Sequence, residues 1–195
     1  MSATQRGVVV VGAGSGIGAA TAARFHDQGD RVLGVDVRFT GDTAWEQAVL
    51  DLRDPDGIGD LIKRLESDGQ GWDVLAYVAG IPGTFEPGDV LRVNFLGMRT
   101  LALGLLPVLR TGGSIITVAS VAGLAWQGRA DALAGLLDAS TGEEIDAWQA
   151  QQDPAYAVYS TSKEASILFS KKISGPAWQK YGIRVNTVSP GPTDT

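Results

Sequence analysis

Gly7-Val8-Val9-Val10-Val11 runs directly into Gly12-Ala13-Gly14-Ser15-Gly16-Ile17-Gly18, and an alanine-rich stretch follows. An unbroken apolar run without alternation suits a strand buried on both faces, as in a parallel sheet. Parallel neighbours cannot be joined by a hairpin and need a crossover, usually a helix. Gly16 to Gln28 supplies one, with Ala19, Ala20, Ala23 and Phe25 as its packing face and Gly29 as a C-cap. This one junction commits the chain to βαβ architecture.

The rest of the sequence keeps the alternation. Arg31 to Asp36 reads as a second strand and Ala48 to Asp51 as a short third. Asp54-Pro55 opens a helix to about Leu65, with Asp as N-cap and Pro at the first helical position. Strands are expected over Asp73–Val78, Gly113–Val118 and Arg184–Val188, and helices over Asp89–Leu109 and Pro154–Lys172. The expected fold class is α/β, a doubly wound parallel sheet or Rossmann fold, as a single domain over residues 1–195. A helical insertion over about 124–153 breaks the pattern. Gly128–Ala139 and Thr141–Gln152 read as two extra helices there, and Thr141 with Glu144 forms a capping box. Leu133, Leu136 and Leu137 on one, and Ile145 and Trp148 on the other, make apolar stripes that need a partner. A substrate-pocket wall or a subunit interface is the expected use.

The glycine loop lies where a strand meets a helix N-terminus. There the backbone approaches a ligand closely, and unpaired N–H groups with the positive dipole end suit a pyrophosphate. Asp36 follows Gly16 by 20 residues, at the end of the second strand. A carboxylate there hydrogen-bonds ribose hydroxyls and repels a 2′-phosphate, so NAD is the expected cofactor rather than NADP.

Composition removes other classes. Lys and Arg number 16 against 22 Asp and Glu, a formal net charge of −6, and no basic run occurs. Nucleic acid is therefore not an expected partner. Without cysteine, disulfides, thiol chemistry and Cys-based metal sites are excluded, and the lone His26 makes no metal cluster, so no metal is expected. Met1 to Arg6 lacks a signal-peptide pattern, and no stretch has the roughly 18–20 apolar residues of a membrane span. A cytoplasmic protein is the expectation.

Tyr159-Ser160-Thr161-Ser162-Lys163 lies inside an expected helix, so positions 159 and 163 share a face. A phenol ordinarily ionises near pH 10, and a neighbouring cation favours the phenolate, as a general base requires. Tyr156 is a decoy, since Ser160 rather than a lysine lies four residues on.

Together these segments resemble the short-chain dehydrogenase/reductase family. Gly12, Ser15, Gly16, Ile17 and Gly18 match its cofactor loop, and Asp51-Leu52 resembles its adenine-contacting pair. Ala79-Gly80 stands after strand four, and Pro190-Gly191-Pro192-Thr193 resembles the segment at the nicotinamide end. Asn94, Ser120, Tyr159 and Lys163 match the catalytic tetrad. The resemblance implies Tyr159 as proton donor or acceptor and Lys163 as its helper, which also binds the nicotinamide ribose. It implies Ser120 as hydrogen-bond partner of the substrate oxygen, and Asn94 as holder of a water linking Lys163 to solvent.

Two departures stand out. The usual Asn-Asn-Ala-Gly appears as Tyr77-Val78-Ala79-Gly80, and the family's covering loop, following helix and seventh strand lie outside these 195 residues. The insertion resembles that of the bacterial hydroxysteroid dehydrogenase/carbonyl reductase branch, where it alters the dimer contact. That implies an oxidoreductase for a steroid-like or other bulky apolar secondary alcohol or ketone, as a homodimer or homotetramer. Dehydrogenases of aromatic or terpene alcohols, coniferyl alcohol among them, are similar too. A non-catalytic dinucleotide-binding subunit is the remaining alternative.

Overall fold

The structure, a computed structural model, describes residues 5–193. Its strands are β1 (Gly7–Val11), β2 (Arg31–Asp36), β3 (Glu46–Val49), β4 (Trp72–Tyr77), β5 (Leu109–Val118) and β6 (Arg184–Val188). They form one parallel sheet in the order β3-β2-β1-β4-β5-β6, the doubly wound pattern expected from the sequence. Strand order reverses direction between β1 and β4, and that switch point is where such sheets open a crevice at their carboxyl ends.

The period-two geometry of the strands divides the core in two. Val9 and Val11 of β1 join Leu33, Leu75, Tyr77 and Ile115 in the larger cluster. That cluster is completed by α2 (Pro55–Ser67), α4 (Gly97–Leu105) and α7 (Val158–Tyr181). Val8 and Val10 lie in a smaller cluster with Val32, Val74 and Ala76, where Ala22 and Phe25 of α1 (Gly16–Asp27) pack. The all-valine strand is thus buried on both sides, which explains why it does not alternate.

Several boundaries differ from expectation. The expected Asp89–Leu109 helix is α3 (Pro87–Leu91), a π turn (Arg92–Leu96) and α4, with β5 starting at Leu109. Helix α7 begins at Val158 rather than Pro154, because Asp153 holds the preceding turn through the Ala155 and Tyr156 amides at 2.8 and 2.9 Å. It also continues past Gly175-Pro176 to Tyr181, where Gly182 caps it at φ +68°. Ala177 on that last stretch is buried in the larger cluster, so tertiary contact outweighs the helix-breaking residues.

The insertion is a 3-10 segment (Val121–Arg129) followed by α5 (Ala134–Asp138) and α6 (Gly142–Gln149), not two long helices. The Thr141–Glu144 capping box forms in both directions. Leu133, Leu136, Leu137, Ile145 and Trp148 are buried in the larger cluster. Their apolar stripes are covered by the chain's own residues rather than left for a substrate or second subunit. Arg92–Asp146 at 2.6 Å and Lys172–Asp138 at 2.8 Å tie the insertion to the body, and Arg129 Nε lies 3.3 Å from buried Glu164, close enough to pair though not aligned as a hydrogen bond.

Leu136→Ala should therefore behave as a core truncation, costing about 2–5 kcal/mol and lowering Tm by roughly 5–15 °C. Thermal unfolding at several protein concentrations checks this. A loss that disappears on dilution would place Leu136 in a subunit interface instead.

Candidate active site

The glycine loop begins where β1 ends. Gly12 has φ +93°, and a Cβ on it would lie 2.6 Å from the Ala79 amide nitrogen, so only glycine lets the loop meet the end of β4 this closely. A Cβ at Gly18 would collide with the Gly12 carbonyl, so the first turn of α1 rests directly on the loop. Ser15 is an exposed N-cap whose side chain caps nothing, and no acidic residue lies in the first turn of α1. The positive end of this helix is left for a ligand. Asp36 closes the other side, its Oδ2 accepting the Gly14 N–H at 2.8 Å. The loop and the carboxylate, selected separately from sequence, are in direct contact.

Asp51 and Leu52 follow β3 at half-exposed positions. The Asp51 carboxylate is engaged by Arg53, at 2.7 Å from Nη2, and Arg53 also reaches Asp89 at 2.8 Å. Arg53 holds the Asp51 carboxyl below the usual carboxylate range, principally through that side-chain hydrogen bond. Its acceptor capacity is thus already partly committed within the chain.

Helix α7 carries Tyr159, half-buried, and Lys163, with Nζ 5.6 Å from the phenol ring centroid. The Lys163 side chain crosses the sheet end and donates to the Val118 carbonyl at 3.2 Å. Gly80 gives it space: a Cβ there would sit 3.1 Å from Nζ and 3.3 Å from Asn94 Oδ1. Lys163 is only 4 % exposed, and burial lowers its ammonium to about 8.

Ser120 sits just past β5 in extended backbone, at φ −169°. Its Oγ accepts the Ala122 N–H at 3.2 Å as N-cap of the 3-10 segment. That bond uses an acceptor lone pair and leaves the hydroxyl proton free to donate. The Val121 amide binds the Pro190 carbonyl at 3.0 Å, which draws the Pro190–Gly191 segment beside Ser120. Thr193 Oγ1 turns back to the Gly191 carbonyl at 3.1 Å.

Asn94 lies in the π turn and is 1 % exposed. Its Oδ1 accepts the Ile81 N–H at 2.8 Å, and its Nδ2 donates to the Ile81 carbonyl at 3.0 Å and to Ser162 Oγ at 3.1 Å. Ser162 in turn donates to the Tyr159 carbonyl at 2.7 Å. Both amide protons are therefore spent on fixing the loop after β4 and the helix that carries Tyr159. The water-holding role implied for Asn94 has only the second Oδ1 lone pair left in the side chain. Its backbone carbonyl lies 3.2 Å from Ser166 Oγ, sharing that hydroxyl's single proton with the nearer Ser162 carbonyl at 2.8 Å.

Ser162 and Ser166 were not among the residues marked from sequence. They were legible in principle: Ser162, Ser166 and Ser170 recur every four residues along α7, all are buried, and Ser166 and Ser170 each donate to the carbonyl four residues back. Such a row on a buried helix face supplies hydroxyls to a neighbouring element.

Residues 6–131 match the short chain dehydrogenase family. The chain is 35% identical, over 196 residues, to the coniferyl-alcohol dehydrogenase of Pseudomonas sp. strain HR199, covering 100% of this chain and 76% of that one. The chain belongs to the short-chain dehydrogenase family. It is also 31% identical over 199 residues to the 3-alpha-hydroxysteroid dehydrogenase/carbonyl reductase of Comamonas testosteroni, covering 96% of this chain and 73% of the relative. Among solved structures, the 3-alpha-hydroxysteroid dehydrogenase from Pseudomonas sp. B-0831 complexed with NADH superposes with TM-score 0.80 at 27% identity, over 96% of this chain and 73% of that one. Where Asn-Asn-Ala-Gly is usual in this family, the chain has Tyr77-Val78-Ala79-Gly80.

Among the described residues no cluster of His, Asp and Glu suits a metal, and no helix is long and apolar enough to cross a membrane.

The buried lysine carries a stability signature. The folded chain binds this proton less tightly than the unfolded chain, whose lysine ionises near 10.5. The cost is fully present below about pH 8 and fades between about 8 and 10.5, where the unfolded state holds more protons than the native state. Lys163→Met in the cofactor-free protein should therefore be more stable than the parent at neutral pH, by up to about 3 kcal/mol. Urea unfolding from pH 7 to 10 should show this advantage shrinking as pH rises. A pH-independent difference would mean that the ammonium is not desolvated.

Proposed function

We propose that the chain is an NAD-dependent oxidoreductase that interconverts a secondary alcohol and a ketone on a bulky, steroid-like substrate. The observation that carries this reading is the grouping, at the carboxyl end of β5, of a half-buried phenol, a buried ammonium beside it that donates to the Val118 carbonyl, and two residues on a serine hydroxyl with a free proton. The residues fit a dinucleotide: the cradle at Gly12 admits no Cβ, the α1 N-terminus has no side-chain cap, and Asp36 borders the loop.

In this reading Gly12, Ser15, Gly16, Ile17 and Gly18 receive the pyrophosphate, and Asp36 the adenosine ribose. Asp51 and Leu52 border the adenine, Ala79 and Gly80 let backbone approach the cofactor, and Pro190, Gly191 and Thr193 border the nicotinamide. NAD supplies the hydride acceptor or donor. Ser120 donates its hydroxyl proton to the substrate oxygen. Tyr159 removes the alcohol proton during oxidation and returns it during reduction. Lys163 stands beside the phenol and would bind the nicotinamide ribose, while Asn94 keeps Tyr159 and the loop after β4 in register.

The relative named for coniferyl alcohol supports an aromatic alcohol as a second substrate reading. NAD reduction by the purified protein with a hydroxysteroid and with coniferyl alcohol, side by side, separates the two. Tyr159→Phe should lower turnover by roughly 10²–10⁴-fold. Retained turnover in that variant rejects Tyr159 as the acid/base. Asp36→Ala should narrow the preference for NAD over NADP in kcat/KM, and an unchanged ratio rejects Asp36 as its source.

A further inference from the structure

The π turn that holds Asn94 has an unusual support. An α-helix would give the Gly97 amide to the Val93 carbonyl, but here that amide goes back five residues to Arg92. The Val93 carbonyl instead accepts the hydroxyl of Tyr77, on the adjoining strand β4. The next carbonyl, that of Asn94, has only the longer share of the one Ser166 hydroxyl proton, at 3.2 Å against 2.8 Å to the Ser162 carbonyl. The Tyr77 hydroxyl is therefore the principal side-chain support of the turn's carbonyls. Tyr77 is 1 % exposed, and burial pushes its phenol well above the usual range, so the group stays a neutral donor. Gly97 makes the arrangement fit, since a Cβ there would lie 3.2 Å from both the Tyr77 hydroxyl and the Leu52 carbonyl.

We propose that Tyr77 is a positioning residue whose hydroxyl, by holding the Val93 carbonyl, fixes the π turn that aims Asn94 at Ile81 and Ser162. Tyr77 stands at the first position of the Tyr77-Val78-Ala79-Gly80 segment, where an asparagine is usual in the family. It reaches the π turn from the strand end that leads into Ala79, Gly80 and Ile81. Strand β4 and the Asn94 turn are therefore joined twice, once by Tyr77 to Val93 and once by Asn94 to Ile81. Removal of the first link should loosen the second, and through Ser162 the placement of Tyr159. The catalytic consequence rests on the reading of Tyr159 and Lys163 as the reaction centre; the structural one does not.

Tyr77→Phe keeps the ring and deletes the hydroxyl. In nitrogen-15-labelled full-length protein, hydrogen exchange of the Asn94 side-chain amide should accelerate at least about tenfold, while Val8 to Val11 amides stay within about twofold. The kcat for alcohol oxidation should fall about tenfold with the KM for NAD within about twofold, a tenfold effect being the size expected from one lost hydrogen bond. Gly97→Ala presses on the same hydroxyl without deleting a polar group and should shift the Asn94 amide in the same direction. Unchanged Asn94 exchange in both variants overturns the proposal. So does uniform acceleration of all amides, or a local loosening that leaves kcat at the parent value. If the parent oxidises no alcohol, the proposed function fails, and the exchange arm alone still decides the role of Tyr77.

Discussion

Burial of one ammonium group organises this end of the sheet. Lys163 crosses beneath the end of β5, makes one hydrogen bond among the described residues, to the Val118 carbonyl, and is depressed to about 8 by the lost water. An uncompensated charge in that position is costly, so the surrounding structure has to hold the lysine there. It does so with backbone rather than with countercharge. Gly80 lets the loop after β4 come close to Nζ, and α7 is fixed to the π turn by the Asn94–Ser162 bond and by the packing of Phe169 on Phe95. The helix segment that carries the neighbouring phenol is held in place by Asn94 through Ser162.

The parts of this arrangement governed by local rules were legible in the sequence. The valine run, the glycine loop and Asp36 have requirements met within about thirty consecutive residues, the span of a βαβ unit, and they appear as expected. The capping box at Thr141 likewise depends only on neighbours. The Tyr159–Lys163 pair followed from helical period, and its partners Asn94 and Ser120 from family resemblance.

What was not legible depends on contacts distant in sequence. The π turn interrupts an otherwise uniform apolar helix, and nothing between Asp89 and Leu109 announces it; its support comes from Tyr77 on β4 and Ser166 on α7. The sequence leads to a helix ending near Lys172; Gly175 and Pro176 are poor helix formers, yet the burial of Ala177 carries the helix to Tyr181. The insertion departs from expectation for a similar reason. Its apolar stripes need cover, but periodicity alone does not say whether cover comes from the same chain or another.

The Arg129–Glu164 contact has a further consequence for engineering. Glu164 is almost wholly buried, directly beside Lys163 in the chain, and Arg129 is a basic residue of the inserted segment. Excising that segment to obtain a shorter scaffold would strand a carboxylate in the interior, next in the chain to a buried ammonium. A trimmed version therefore needs an apolar replacement at position 164 made together with the deletion, because the two stretches of chain share one electrostatic neighbourhood and cannot be edited as separate modules.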